Sequence, residues 1–380
     1  MLKDHDVVIV GGGVQGCAIA QATAAAGFST LLLEKNQWGS ATSSRSSKLI
    51  HGGLRYLQTA QFSLVRECID EREWMFKMLP DLVRPNWFYI PVYKDSKIRP
   101  WQLYTGLTAY QALGAYNRHS RFRRIPKKQW QHLAGLDTHG LQAVFAYQDG
   151  QTDDRQLTRR IQQSAEKLGA ECLENTRLSR AARFSDGYQV CYRQDDTETC
   201  VRAGLLVNAT GPWVNHTLAC LTPQVEPQAI DLVQGTHIVL DQCISDDCFY
   251  LQAADGRAVF VMPWQGKTLV GTTETLFTGN PDDCQPRPEE IDYLTETVQR
   301  YFPHLDFAVT ESFSGLRVLP QAGSRAFFRP RDVQISQQER LINVYGGKLT
   351  AWRANAARVL NEVENILGKR TAIDTRKLPV

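Results

Sequence analysis

In the first forty residues, two short apolar runs flank a glycine cluster and an alanine-rich segment, which is the pattern of a strand, a helix and a second strand. Residues 6–10 are mainly β-branched and lead into a glycine cluster, which predicts a buried strand. The alanine-rich residues 14–26 predict a helix that ends at Gly27, since glycine is common just after a helix. Residues 30–33 predict the second strand. The chain therefore begins with one β-α-β unit.

Similar patterns recur along the rest of the chain. Amphipathic or helix-favouring segments predict helices at residues 62–79, 157–168, 289–301 and 350–367. Apolar runs at residues 205–209 and 341–345 predict strands, and each precedes a turn that contains glycine. Residues 231–273 alternate apolar and polar positions between turns, which predicts an antiparallel sheet.

The α/β elements thus lie at the start, middle and end of the chain, with β-rich segments between them. We predict an α/β fold with a discontinuous, Rossmann-like nucleotide-binding domain and an antiparallel β-sheet cap that binds substrate. The expected nucleotide-binding domain comprises residues 1–80, 148–225 and 338–370. The expected cap comprises residues 81–147 and 226–337.

Composition narrows the class of protein. Of 380 residues, 43% are hydrophobic and 22% charged, which excludes a disordered or fibrous chain. The apolar runs are too short to span a bilayer, and no signal peptide precedes the first strand, so any membrane contact should be peripheral. Nine cysteines without a C-x-x-C pair or metal-ligand spacing predict reduced thiols, a cytoplasmic location and no bound metal.

A glycine motif follows the first predicted strand. Gly11, Gly13 and Gly16 satisfy G-x-G-x-x-G where a helix begins, and Glu34 ends the next strand. Glycines permit a tight turn close to a pyrophosphate, the helix N-terminus offers free N–H groups, and the acid can accept a ribose hydroxyl. The motif predicts one bound dinucleotide but does not separate FAD from NAD. The hydroxyl-rich loop at residues 42–48 suits a ligand that extends beyond the adenosine.

Residues 41–57, ATSSRSSKLIHGGLRYL, resemble the FAD-dependent glycerol-3-phosphate dehydrogenases of the D-amino-acid oxidase-like superfamily. Further matching segments follow in order, at residues 62–72, 153–157, 207–214, 234–239, 263–273, 314–317 and 346–350. The resemblance implies bound FAD and oxidation of sn-glycerol 3-phosphate to dihydroxyacetone phosphate by hydride transfer to flavin N5. It also implies that the electrons pass to a quinone or another acceptor.

The resemblance assigns roles to individual residues. Arg55, Tyr56, Lys348 and Arg331 would bind the substrate and its phosphate, and His237 and Arg317 would be catalytic. With the glycine motif, it assigns cofactor binding to Gly11, Gly13, Gly16, Glu34, Thr42, Ser43, Ser44, Lys48, His51, Gly52, Gly211, Gly346, Gly347, Leu349 and Thr350. In related amine-oxidising flavoenzymes a histidine near His51 can carry the flavin covalently, but the surrounding motif favours non-covalent FAD.

These residue types suit that chemistry. Guanidinium groups and a lysine match a phosphate dianion, and a neutral imidazole can take the proton of a hydroxyl that loses hydride. Simpler interpretations stay open: ordinary ion pairs for Arg55 or Arg317, a structural strand histidine for His237, and a packed aromatic for Tyr56.

One region is strongly basic. Residues 96–136 contain eight basic side chains and no acid, with tryptophans and tyrosines among them, while the whole chain has a net charge of only +3. This pattern favours peripheral contact with an anionic membrane surface. The family resemblance implies that this contact is with the inner face of the membrane. The alternative interpretation is an ordinary solvated surface. We expect no nucleic acid partner.

The chain also departs from the family pattern. Relatives commonly continue as a helical C-terminal domain, whereas this sequence ends at Val380. Residues 318–323 lack the expected acids, Glu274 stands where aspartate is usual, and Val333 replaces an aromatic. Another phosphorylated alcohol is therefore an alternative substrate. Two further functions stay open: an oxygen-using oxidase of an amine or 2-hydroxy acid, and a non-catalytic flavoprotein with an assembly role.

Overall fold

A computed structural model of the chain describes residues 4–321 and 332–380. Its helices are α1 (Val14–Ala25), α2 (Phe62–Met78), α3 (Pro100–Leu113), α4 (Asp154–Lys167), α5 (Val214–Leu218), α6 (Pro288–Tyr301) and α7 (Trp352–Leu367). Its strands are β1 (Asp4–Val10), β2 (Thr30–Leu33), β3 (Leu49–Ile50), β4 (Val83–Tyr93), β5 (Phe122–Arg124), β6 (Leu141–Thr152), β7 (Glu171–Leu173), β8 (Thr176–Arg183), β9 (Tyr188–Gln194), β10 (Thr197–Asn208), β11 (Leu221–Thr222), β12 (Ile230–Leu240), β13 (Cys248–Gln252), β14 (Ala258–Trp264), β15 (Lys267–Gly271), β16 (Thr275–Phe277), β17 (Val309–Pro320), β18 (Val333–Gln338) and β19 (Leu341–Gly346).

The first sheet is built around the N-terminal β-α-β unit. Its strand order is β11-β8-β9-β10-β1-β2-β7, with β19 beside β10 and β18 beside β19. Strands β7, β2, β1, β10 and β19 run parallel, whereas β9 pairs antiparallel with β8 and β10, and β18 pairs antiparallel with β19. Strand β11 pairs parallel with β8. Residues 7–10 of β1 and 31–33 of β2 are continuous apolar runs buried on both faces, as central parallel strands require. On one face, α1 packs against α4 and α7.

The second sheet is mainly antiparallel. Its order is β16-β12-β15-β14-β13-β4-β6-β3, with β17 beside β12 and β5 beside β6. Side chains on its two faces enter two separate apolar clusters, because successive residues of a strand point to opposite faces. Helix α6 packs in one cluster, and helices α2 and α3 pack in the other. The predicted fold class, a Rossmann-like α/β domain with an antiparallel sheet, is confirmed.

The chain divides into two units, and the division differs from the predicted domain boundaries. The first unit comprises Met1–Ser46, Asp153–Leu232 and Leu316–Val380, and the second comprises Ser47–Thr152 and Val233–Gly315. Residues 47–80 therefore belong with the second sheet rather than the nucleotide-binding one. The reason is that β3 pairs with β6 and that α2 buries Val65 and Ile69 in the second sheet's core.

Two cysteines correct the prediction of reduced thiols. Cys191 and Cys200 form a disulfide, because the antiparallel register of β9 and β10 places them directly opposite each other.

Of the helices that the structure describes, none combines the length and the apolar character that a bilayer span demands.

Candidate functional site

In the first unit, three glycine-containing turns meet at one edge of the sheet. The parallel register aligns Val10 of β1 with Asn208 of β10, and Asn208 with Asn343 of β19. The turns that follow these strands, at residues 11–13, 209–211 and 346–348, therefore lie at the same carboxyl edge. This edge is where open α/β sheets bind nucleotides.

The first turn depends on two glycines. Gly11 has a φ of +112°, which side chains other than glycine rarely adopt, and its N–H donates to Leu33 O at 2.8 Å. A Cβ at position 16 would overlap the carbonyl oxygen of Gly11. The N-terminus of α1 can therefore approach the turn only because residue 16 is glycine.

Glu34 lies beside this turn at the end of β2. Its Oε2 accepts the Gly12 N–H at 2.6 Å, and its Oε1 accepts the Asn36 N–H at 2.8 Å. Burial raises the pKa of Glu34, and these two N–H donors oppose that effect. The carboxylate is thus held at the position from which it can bind a ribose hydroxyl.

Several buried polar atoms of the first unit lie near the ends of these turns without a hydrogen bond in the described part of the chain, among them Gln15 Oε1, Trp213 Nε1 and Asn355 Nδ2. A Cβ at Gly347 would lie 3.2 Å from Gln15 Nε2 and 3.0 Å from Asn355 Nδ2, so these two side chains flank the third turn. Buried polar groups without partners are costly, so this arrangement fits a large polar ligand such as a dinucleotide.

The predicted hydroxyl ligands form hydrogen bonds within the first unit. Thr42 Oγ1 donates to Leu316 O at 2.9 Å, and Ser44 Oγ donates to the carbonyl of Ser40 at 3.2 Å. Ser43 Oγ accepts the Val14 N–H at 2.9 Å, at the start of α1. These bonds hold the loop against the glycine turn.

In the second unit, one face of the sheet carries a row of side chains across four strands. Tyr250 of β13 lies opposite Phe260 of β14, Phe260 lies opposite Gly271 of β15, and Gly271 lies opposite His237 of β12. Directly opposed residues share a face of the sheet. Four residues on four different strands thus form one continuous surface.

His237 lies at one end of this row of four residues, and its buried side chain contacts several neighbours. The side chain is 1% exposed, and its Nε2 lies 2.9 Å from Ser47 Oγ. Its ring stacks on Phe313, with centroids 5.1 Å apart and an interplanar angle of 14°. A Cβ at Gly271 would overlap the His237 ring, so glycine makes room for the imidazole. A histidine oriented by a hydroxyl can accept or donate a proton at a defined atom.

Lys48 lies on the same side of the sheet. Its side chain is buried, and its Nζ is 5.3 Å from the Trp264 ring centroid and 5.4 Å from that of Phe313. The structure thus places Lys48, which the resemblance assigns to the cofactor, on the same phenylalanine that stacks on His237. A buried ammonium beside aromatic rings is a suitable partner for an anion.

Arg55 and Tyr56 lie in the 3₁₀ turn Leu54–Thr59 of the second unit. The guanidinium carbon of Arg55 is 5.8 Å from the Tyr56 ring, and the centroids of His51 and Tyr56 are 6.2 Å apart. Burial raises the pKa of Tyr250, while the charge of Arg55 opposes that rise, so Arg55 acts on the far end of the row from His237.

Other predicted residues lie elsewhere. Arg317 of β17, Lys348, Leu349 and Thr350 belong to the first unit, and Arg331 lies outside the described residues. Gly52 belongs to the second unit, where its N–H donates to Asp149 Oδ1 at 2.9 Å rather than being available to a ligand.

The sequence patterns do not point to Phe313, Tyr250, Gln15 or Asn355, and they include Ser47 only as one hydroxyl of the loop at residues 42–48. The alternating pattern of residues 231–273 could have shown that Tyr250 shares a face with its neighbours two residues away. The pairing of that face with His237 depends on strand order and could not be predicted.

The parallel edge, its glycine turns and Glu34 define a dinucleotide-binding protein. The chain belongs to the family described as FAD dependent oxidoreductase (DAO), whose family model matches residues 6–352. Its cofactor is FAD, and the chain is an FAD-dependent oxidoreductase.

Named relatives share most of the chain. D-erythritol 1-phosphate dehydrogenase of Brucella abortus is 34% identical over 95% of this chain and 74% of its own length. The glycerol-3-phosphate dehydrogenase of Pseudomonas aeruginosa is 33% identical over 99% of this chain and 75% of its own. The solved glycerol-3-phosphate dehydrogenase of Bacillus halodurans, complexed with FAD, is 25% identical with a TM-score of 0.78, covering 99% of this chain and 68% of that one. The family resemblance found in the sequence is confirmed.

Proposed function

We propose that this protein oxidises sn-glycerol 3-phosphate to dihydroxyacetone phosphate. The observation that carries the proposal is the sheet face in the second unit. There a buried histidine, a buried lysine and an arginine lie on or beside a single row of side chains. The named activities of the two relatives above support a small phosphorylated alcohol as substrate.

In this proposal, each residue has a separate role in the reaction. His237, oriented by Ser47, takes the proton of the substrate hydroxyl. Lys48 and Arg55 neutralise the phosphate, and Tyr56 packs beside Arg55. Bound FAD supplies the hydride acceptor. A catalytic role for Arg317, and roles for Lys348 and Arg331 in binding the substrate anion, are proposed from the resemblance.

The test is an anaerobic visible spectrum of the purified holoprotein before and after addition of sn-glycerol 3-phosphate. The proposal predicts that the flavin bands bleach with the substrate and persist with glycerol. It also predicts that Arg55→Ala raises KM by about tenfold to a hundredfold, because one charged hydrogen-bonding partner of the phosphate is lost. A flavin that does not bleach with any phosphorylated alcohol would reject the proposal.

D-erythritol 1-phosphate is a second candidate substrate, because a relative with that name matches as well as the glycerol-3-phosphate dehydrogenases. Both substrates carry a phosphate, so Lys48 and Arg55 serve either one. The ratio of kcat/KM for the two compounds decides between them.

We also propose a peripheral contact with an anionic membrane, through helix α3 and its basic flanks. Trp101 is 69% exposed and Tyr104 is 55% exposed, and the exposed positions of α3 carry no charge. The eight basic side chains of residues 96–136, which precede or follow this helix in the chain, are all exposed. An uncharged aromatic face with basic flanks suits an anionic lipid interface, where electrons could pass to a quinone. Sedimentation with anionic but not zwitterionic vesicles, weakened in Trp101→Ser, is the expected result.

A further inference from the structure

A fully buried ion pair lies beneath the segment that presents Arg55 and Tyr56. Arg72 of α2 is 0% exposed and Asp149 of β6 is 2% exposed, and Arg72 Nη1 lies 2.6 Å from Asp149 Oδ1. Burial alone would lower the pKa of Arg72, but the neighbouring Tyr110, Asp149 and Glu73 outweigh that effect and raise it. The guanidinium therefore stays charged.

Three donors from separate segments converge on the same carboxylate oxygen. Asp149 Oδ1 accepts from Arg72 Nη1, from the Gly52 N–H at 2.9 Å and from the Tyr110 hydroxyl at 3.2 Å. The second guanidinium nitrogen of Arg72 donates to Glu73 at 2.8 Å. Removing one member of such a network leaves a buried group uncompensated, which is far more costly than losing an exposed contact.

Packing restricts the same segment from the other side. A Cβ at Gly52 would overlap the Tyr110 hydroxyl, and a Cβ at Gly53 would lie 2.6 Å from Tyr56 Cδ2. Gly53 has a φ of +78° and caps the turn Leu54–Thr59 that carries Arg55 and Tyr56. The start of this turn is thus set by one hydrogen bond and by two positions without room for a side chain.

We infer that Asp149, held by Arg72, is a positioning residue for substrate binding: it fixes Gly52, and through Gly52 the orientation of Arg55 and Tyr56. The inference rests on the proposed function, because it matters for catalysis only if Arg55 binds the phosphate. Asp149 touches neither substrate nor cofactor in this scheme. Its loss should raise KM for the phosphorylated substrate more than it lowers kcat.

The experiment compares Asp149→Asn and Asp149→Ala as FAD-loaded enzymes. Asparagine removes the charge that compensates Arg72 and should lower stability, but it keeps an oxygen that can accept the Gly52 N–H, so KM should change little. Alanine should raise KM by about tenfold. Hydrogen exchange over residues 52–57 should accelerate in Asp149→Ala alone. The milder Tyr110→Phe removes one donor to Asp149 together with the hydroxyl that packs on Gly52. It should produce a smaller shift in the same direction, and it serves as the test if the alanine variant fails to fold.

Asp247→Asn and Asp247→Ala are the matched controls. Asp247 also accepts a hydrogen bond from a tyrosine of the second unit, Tyr89 at 3.1 Å, but it has no bond to Gly52. If the Asp247 variants raise KM equally, the effect is a general weakening of the unit and the inference is wrong. If Arg55→Ala raises KM while Asp149→Ala and Tyr110→Phe do not, positioning by Asp149 is also rejected. If Arg55→Ala itself leaves KM unchanged, the proposed role of Arg55 has failed first.

Discussion

The candidate sites of the two units differ in whether backbone atoms or side chains form them. In the first unit, the site is mainly backbone: three turns at the ends of parallel strands, the first of which has glycines where a Cβ would overlap a neighbour. In the second unit, the site is mainly side chains, aligned by antiparallel register into one row that ends at His237. Backbone sites tolerate few substitutions, whereas side-chain sites can lose one group and keep their shape. Substitutions in each unit test that difference.

The largest effect is expected from Gly16→Ala in the first unit. The new Cβ would overlap the Gly11 carbonyl oxygen, so the turn and α1 would have to separate. We expect the protein to lose bound FAD and about 1–3 kcal/mol of its free energy of unfolding. The ratio of flavin absorbance to protein absorbance, with a denaturant titration, measures both. Gly106→Ala in α3 is the control, because a Cβ there meets no atom within 4 Å; equal flavin loss in both variants would contradict the prediction.

The second-largest effect, on the turnover number, is expected from His237→Asn in the second unit. Removing a general base should lower kcat by about 10²- to 10⁴-fold, while bound FAD and KM change little. Stopped-flow measurement of flavin reduction gives the rate. His216→Asn, at an exposed position, serves as the control. Loss of FAD in His237→Asn would show that the division of roles between the units is wrong.

The smallest effect concerns Glu290, on α6 of the second unit. Burial alone would raise its pKa, but hydrogen bonds from Thr236, Thr273, Thr275 and Gln234 outweigh burial and lower it. The ionised carboxylate therefore stabilises the fold above its unfolded pKa, and this contribution is lost as the pH falls through the lowered folded pKa.

Glu290→Gln should accordingly lower the free energy of unfolding by about 1–3 kcal/mol at neutral pH, because buried donors lose their acceptor. The difference in Tm between the variant and the parent should shrink as the pH falls below the ordinary carboxyl value of 4.5. A difference that stays constant over this range would show that the carboxylate charge is not what the hydroxyls stabilise.

Sequence patterns predict this fold best where structure is local. Helix α1 and strands β1 and β2 follow from apolar patterning, and the glycine turn follows from the need for positive φ and close approach. Helix α3 is not predicted, because its uncharged exposed face hides the helical alternation of apolar and polar positions. The boundary at Ser46 is not predicted either, since nothing near it marks the change from one sheet to the other.

By itself, the sequence determined the N-terminal β-α-β unit with its glycine turn, and the family; it also supplied the residue types of the proposed substrate site. Only the tertiary structure decided which of those residues meet. The pairing of Cys191 with Cys200, the row from Tyr250 to His237, and the buried bond between Arg72 and Asp149 all depend on strand register or on packing between distant segments. A glycine turn is specified by the steric limits of a few neighbouring residues. A cross-strand contact instead depends on which strands pair and in what register, which the pattern of a single segment does not encode.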